Sequence, residues 1–363
     1  MLSDSVLAEV KNLRTYFHLA EGVVRALDGV NLTIKAGRTL GVVGESGCGK
    51  SVTALSLMQL VPSPGKIEGG EINYYRTIHK TESSTTSDVV EIARLKPNSP
   101  EMRAIRGDRI SMVFQEPMTA LLPVRTVGSQ IMEAITLHQQ VSKEEARTRA
   151  IDILARVNLP NPDRIVDTYP FQLSGGMRQR AVIAMALSCT PNLLIADEPT
   201  TALDVTTEAQ ILDLMRDLQQ EYNMAIMYIT HNLGVIAEMA QEVAVMYMGK
   251  VVEESDVMTI FKHPLHPYTR ALLRSIPQLD DVLARAGQKK QLETIKGMVP
   301  DPYSVLPGCS FHPRCPRFMQ GVCDKIAPEV IEVESDHMVR CHLYASHPAD
   351  AQTADHSTKD TTS

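Results

Sequence analysis

TLGVVGESGCGKS, Thr39–Ser51, is the stretch that decides the fold of this chain. Its first half, TLGVVG, is a short, almost wholly apolar run, which is how a strand buried on both faces of a sheet reads. It leads directly into GESGCGKS (Gly44–Ser51) and then into SVTALSLMQLV, a helix-forming stretch stopped by Pro62 and Pro64. Strand, glycine-rich loop and helix in that order make a phosphate-binding loop. The glycines let successive backbone N–H groups turn inward around phosphate oxygens, and the helix N-terminus adds partial positive charge. The predicted nucleotide contacts are therefore Gly44, Glu45, Ser46, Gly47, Cys48, Gly49, Lys50, Ser51 and Val52. Lys50 is placed to neutralise the β- and γ-phosphates and the Ser51 hydroxyl to ligate Mg²⁺. Only the backbone of Cys48 is needed, but a thiol there opens the site to oxidation.

A second apolar run, NLLIADEP (Asn192–Pro199), ends in Asp197 and Glu198. A carboxylate at the C-terminal end of such a strand lies where α/β sheets bind ligands, so Asp197 can hold Mg²⁺ through water. Glu198, one residue on, can reach a water attacking the γ-phosphate as general base. Before this strand comes LSGGM (Leu173–Met177), which opens its own helix. Ser174, Gly175 and Gly176 offer a second phosphate-gripping surface, with a helix dipole aimed at the anion. The phosphate loop of the same chain cannot reach it, so two chains placed head to tail would each complete the other's site.

Around these motifs the pattern alternates. Residues 6–36 read as short strands, Gly69–Tyr75 as another, and 76–100 as a polar, Ser/Thr-rich surface insertion. RISMVFQEP (Arg109–Pro117) is a strand ending in a loop, followed by a helical stretch in which Ser142 caps a helix with Glu145 three residues on. MAIMYIT (Met224–Thr230) is a buried strand, and VAVMYMGKVVEES a hairpin turning at Gly249. The expected fold class is α/β, a mostly parallel sheet with an antiparallel β subdomain and a helical insert.

Bulk properties narrow the function. The chain has 363 residues, a net charge of −7 and an isoelectric point near 5.9, which gives no electrostatic reason to expect a nucleic-acid partner. No apolar run approaches the roughly 18 residues that span a membrane. MLSDSVLAEVKNL lacks the basic and apolar regions of a secretory signal, so a cytosolic protein is expected.

The ordered set of phosphate loop, LSGGM and Asp197–Glu198 resembles the cassettes of the ABC ATPases from about residue 6 to residue 260. The resemblance implies further roles. Gln115 in VFQEP matches the Q-loop glutamine that senses Mg²⁺ and the γ-phosphate, His231 in YITHN the switch histidine, and Asp204 in TALD the D-loop aspartate. Phe17 looks like the aromatic that stacks on adenine, with Tyr16 the alternative. The domain expectation is an ATPase domain over 1–260 with a helical subdomain at about 116–172, a C-terminal region over 261–345, and a disordered tail over 346–363.

From Phe261 the composition shifts to Pro, His and Cys, which marks an appendage. Cys309, Cys315, Cys323 and Cys341 are separated by gaps of five, seven and seventeen residues. Zinc sites usually pair cysteines two to four apart. Four thiolates can instead hold a [4Fe–4S] cluster; zinc or free buried thiols are the other readings. HPLHPYTRALL (His263–Leu273) with this cysteine set is similar to the C-terminal region of oligopeptide/dipeptide importer ATPases, whose relatives include nickel and glutathione importers. Some of these bind an iron–sulfur cluster. That resemblance implies an ATP-hydrolysing subunit for peptide import at the cytoplasmic face of a bacterial inner membrane. Its partners would be a second, similar ATPase subunit, two membrane permeases and an extracytoplasmic binding protein. A soluble, non-transport ABC ATPase is the rival reading; it would show coiled-coil insertions, two cassettes in one chain or a basic surface.

Overall fold

Two apolar cores on opposite faces of one sheet organise the molecule. The computed structural model describes residues 5–80, 85–115, 120–201, 203–275 and 295–345. Two long strands, β1 (Val6–Leu19) and β2 (Gly22–Lys35), precede the central strand β3 (Thr39–Val43), every residue of which is buried. The phosphate loop follows, then α1 (Lys50–Leu57). Next come β4 (Gly65–Lys80), β5 (Thr85–Glu91), α2 (Pro100–Ile105) and β6 (Ile110–Val113). The first sheet has the order β2-β1-β4-β5 and is antiparallel throughout. The polar stretch expected as an insertion thus holds the paired ends of β4 and β5, where Thr and Val suit the extended backbone.

Helices dominate the next segment: α3 (Val127–His138), α4 (Lys143–Arg156), α5 (Pro162–Ile165) and α6 (Gly175–Leu187). The Ser142 hydroxyl accepts the Glu145 N–H at 3.1 Å, the cap that the sequence pattern implies. Then follow β7 (Leu193–Asp197), α7 (Val205–Tyr222), β8 (Ala225–Thr230), α8 (Leu233–Met239), β9 (Glu242–Tyr247) and β10 (Lys250–Asp256). The last elements are α9 (Val257–Lys262), α10 (Pro267–Arg274), β11 (Ile331–Glu334) and β12 (His337–Val339).

The second sheet has the order β11-β12-β10-β9-β3-β8-β7-β6, and from β9 to β6 it is parallel. Along β7, Leu193 and Ile195 enter one core while Leu194 and Ala196 enter the other. Both faces are covered, which is why these strands read as continuous apolar runs rather than alternating ones. Parallel strands also put their C-terminal ends on one edge, so the turns after β3, β6, β7 and β8 converge there.

The C-terminal region departs from the expectation of an appendage. β12 pairs with β10, so β11 and β12 continue the central sheet. Phe311 is buried in the same core as α6 and β7, and its ring packs edge-on against Tyr247 and Tyr268. The polar strands IEVE and HMV carry no apolar run that would signal a sheet, and the pairing across 80 or so residues is invisible locally. The expected tail at 346–363 lies outside the described residues.

Candidate nucleotide site

Four turns meet at the sheet edge. Gly44 and Gly49 have φ of 152° and 107°, conformations that favour glycine, and a Cβ on Gly44 would stand 2.2 Å from the Met246 carbonyl oxygen. Lys50 begins α1 with only 6% of its surface exposed. Its ammonium donates to the carbonyl oxygens of Gly44 at 2.8 Å and Glu45 at 3.2 Å. The loop therefore holds its cation on its own carbonyls, at the place where phosphate oxygens would take those bonds. Cys48 is buried, and burial, offset in part by the charge of Lys50, pushes its thiol up.

Asp197 ends β7, 3% exposed. Burial raises its pKa, partly offset by the bond from the Ser51 hydroxyl, and its Oδ1 has no hydrogen-bond partner. An orphaned buried carboxylate oxygen next to a serine hydroxyl fits a divalent cation, because the ion would supply the missing partner. Glu198 follows, with φ of 47°, a left-handed backbone for a non-glycine residue. Its Oε1 lies 3.0 Å from His231 Nδ1, and its Oε2 accepts from Thr201 Oγ1 at 3.2 Å and from Gln115 Nε2 at 3.4 Å. Burial pushes this carboxyl up, but the bonds from His231 and Thr201 and the charge of Lys50 outweigh it, leaving the pKa below the ordinary Glu range. Gln115, Glu198 and His231, far apart in sequence, thus share one contact set.

A cavity of about 560 Å³ opens between the phosphate loop and the rest of this edge. Ser46, Gly47, Gly49, Lys50, Ser51 and Val52 line it together with Gln115 and Glu198. So do Val24, Arg25 and Asp28 of β2, and Val299, Val305, Leu306 and Ser310 of the C-terminal region. The last group was not legible in the sequence, since a Pro-rich connection carries no ligand pattern. Phe17 and Tyr16 are not part of this lining. The Phe17 ring lies against Gly65, where an added Cβ would stand 2.6 Å from it, and Tyr16 donates its hydroxyl to Asp28 at 3.0 Å.

The LSGGM segment is also away from the cavity. Ser174 caps α6, accepting the Met177 N–H at 3.3 Å, and is exposed; space for a Cβ on Gly175 is open. Asp204 caps α7, accepting the Thr207 N–H at 3.0 Å, and is exposed too. Ser174, Gly175, Gly176 and Asp204 therefore do not line the cavity of their own chain.

The four C-terminal cysteines are gathered. Each of Cys309, Cys315 and Cys341 is raised chiefly by burial, Cys341 up to about 11, and each also by the neighbouring thiols. Yet among the described residues no group of three or more His, Cys, Asp or Glu is arranged to hold a metal ion. The expectation of a metal centre at these cysteines is therefore not supported by this geometry. The thiols share a neighbourhood without the close convergence that a single ion requires.

The sheet order, the phosphate loop and the acidic pair at the end of β7 define an ATPase of the ATP-binding cassette class. Residues 27–201 match the family model described as ABC transporter, and 252–323 match the model described as oligopeptide/dipeptide transporter, C-terminal region. The chain is 48% identical to the oligopeptide transport ATP-binding protein AppD of Bacillus subtilis, over 95% of this chain and 99% of that protein. It is 43% identical to the dipeptide transport ATP-binding protein DppD of Escherichia coli, over 93% and 96%. A dimeric, post-hydrolysis structure of the ATP-binding cassette MJ0796 bound to ADP and Pi is 29% identical. It superposes with a TM-score of 0.58, covering 69% of this chain and 99% of that one. The chain belongs to the ABC transporter ATP-binding family, and it is an ATPase. No helix among the described residues is long and apolar enough to cross a membrane.

Proposed function

We propose that this subunit powers the import of di- or oligopeptides across a bacterial inner membrane, bound to its cytoplasmic face. The observation that carries this reading is near-complete coverage, at 48% identity, of a protein named for oligopeptide transport. The match of 252–323 to a region characteristic of such transporters supports it. The partners are a second, homologous ATPase subunit, two permeases and an extracytoplasmic binding protein.

In the proposed mechanism the backbone of Gly44–Ser51 and the Lys50 ammonium grip the phosphates, with Lys50 exchanging its loop carbonyls for phosphate oxygens. Ser51, Gln115 and Asp197 would hold Mg²⁺, which when bound would supply charge neutralisation at the β- and γ-phosphates. Glu198 accepts the proton of the attacking water, and its depressed pKa keeps it charged for that task. His231, within reach of Glu198 Oε1, orients the base. Ser174, Gly175, Gly176 and Asp204 serve the partner's site across the interface, and Phe17, which does not itself line the cavity but pairs on β1 with the cavity-lining Val24 of β2, is the proposed base-stacking aromatic. The cysteines Cys309, Cys315, Cys323 and Cys341 hold a [4Fe–4S] cluster in this proposal. What supports it is proximity alone: burial raises the Cys341 thiol and the nearby Cys309, Cys315 and Cys323 raise it further.

The test is reconstitution with candidate permeases of the peptide-transport class, a partner ATPase subunit and a binding protein. Di- or oligopeptide plus binding protein should stimulate ATP hydrolysis, whereas a nickel chelate or glutathione should not; stimulation by those alone overturns the peptide assignment. Protein purified without oxygen should carry about four iron atoms per chain. Stoichiometric zinc without iron overturns the cluster.

A further inference from the structure

The HPLHPYTR stretch and the loop between Cys309 and Cys315 have no part in phosphate chemistry, yet both end on one residue of the phosphate loop. Tyr268, fully buried on α10, receives the Glu45 N–H on its phenol oxygen at 2.9 Å. Arg314, whose side chain is 3% exposed, places Nη1 at 2.6 Å and Nη2 at 3.0 Å from the two carboxylate oxygens of Glu45. This is a two-pronged guanidinium–carboxylate pair, the strongest ordinary form of such a bond. Nη1 also reaches the Tyr247 hydroxyl at 3.3 Å. Tyr268 is itself held: the buried Glu253 carboxylate accepts the N–H groups of Leu265 at 2.6 Å and His266 at 2.9 Å, and lies 2.8 Å from His337 Nε2. His266 Nδ1 in turn accepts the Tyr268 N–H at 3.0 Å.

Glu45 is the second residue of GESGCGKS, and its carbonyl is one of the two that bind Lys50. Fixing both its main chain and its side chain fixes the entry to the loop. We propose that Arg314 is a positioning residue for the phosphate loop, acting through Glu45, with Tyr268 the second point of the same clamp. A loop already ordered loses less entropy when phosphate binds. The inference rests on the nucleotide site alone and not on the transported cargo.

The experiment measures affinities of the full chain for ATP, ADP and adenosine, with the melting temperature of each variant as a folding control. Arg314→Gln should raise the Kd for ATP and ADP about 10- to 100-fold, the worth of a charged hydrogen-bond pair. Adenosine affinity should stay within about twofold, and Arg314→Lys, which keeps charge but not the fork, should fall between. Glu45→Gln decides between clamp and bulk charge. Losing a negative charge beside the anion would by electrostatics alone tighten ATP binding, whereas the clamp requires it to weaken. The double variant should be no weaker than the weaker single one. If Arg314→Gln fails to fold, Glu45→Gln and Tyr268→Phe carry the test. Unchanged or tighter ATP binding by Glu45→Gln, or equal losses for adenosine and ATP, overturns the clamp. A parental chain that binds no ATP would overturn the site itself.

Discussion

Glu198→Gln separates the proton-accepting group from everything else the residue does. The amide keeps the shape of a side chain that meets His231 at 3.0 Å, Thr201 at 3.2 Å and Gln115 at 3.4 Å, so the site should stay assembled. What disappears is the ability to take a proton. Removing a general base lowers turnover about 10²- to 10⁴-fold, or about 2.7–5.5 kcal/mol of barrier. ATP affinity should hold or tighten, because a negative charge leaves the neighbourhood of the γ-phosphate. Lys50→Ala makes the contrast: it removes a cation with two loop bonds, at 2.8 and 3.2 Å, and should weaken binding about 10- to 100-fold. ATP affinity by equilibrium titration and phosphate release at saturating ATP are measured for each variant. Because the Glu198 carboxyl, raised by burial, is nonetheless held below its ordinary range chiefly by His231 and Thr201, the parent should keep its activity through this group across the neutral range and lose it only at a pH below the ordinary Glu range. Glu198→Gln hydrolysing at the parental rate, or losing affinity in step with turnover, would refute the assignment of the base.

Because Ser174 caps α6 in the open, away from its own cavity, the isolated subunit should be a poor ATPase whose specific activity rises with concentration or with the partner subunit. Full activity in a dilute, strictly monomeric preparation would refute the shared site. His266, fully buried and pushed down to about 3 by burial, stays neutral in the folded chain while the unfolded chain protonates near 6.5. Stability should therefore fall as pH drops from 6.5 toward 3, by about 1.4 kcal/mol per unit from this group. His266→Asn, which keeps an acceptor for the Tyr268 N–H, should flatten that limb in urea titrations between pH 6 and pH 4; an unaltered slope counts against the argument.

The parts of the fold that could be read from the chain are those whose cause is local. β3, β7 and β8 are buried on both faces, so apart from terminal polar residues such as Thr39, Asp197 and Thr230 they are apolar, and the runs stand out. The caps at Ser142 and Ser174 follow from side chains satisfying N–H groups three residues on. Gln115 and His231 could be named only through resemblance, since each is a lone polar residue after a strand. Nothing local places Arg314 on Glu45, 269 positions away, because an arginine between Pro313 and Cys315 fits many surroundings. The short strands β11 and β12 were hidden for the same reason: β12 joins the sheet through the distant β10, and β11 through β12.

The backbone of Glu198 has a consequence for how such a chain drifts. A non-glycine residue held at φ of 47° carries strain of about 1–3 kcal/mol that only the surrounding turn sustains. Glycine would relax that strain and at the same time remove the carboxylate. A chain with glycine at 198 would therefore keep or gain thermal robustness while giving up the carboxylate proposed as the base, so at this one position stability and turnover pull in opposite directions.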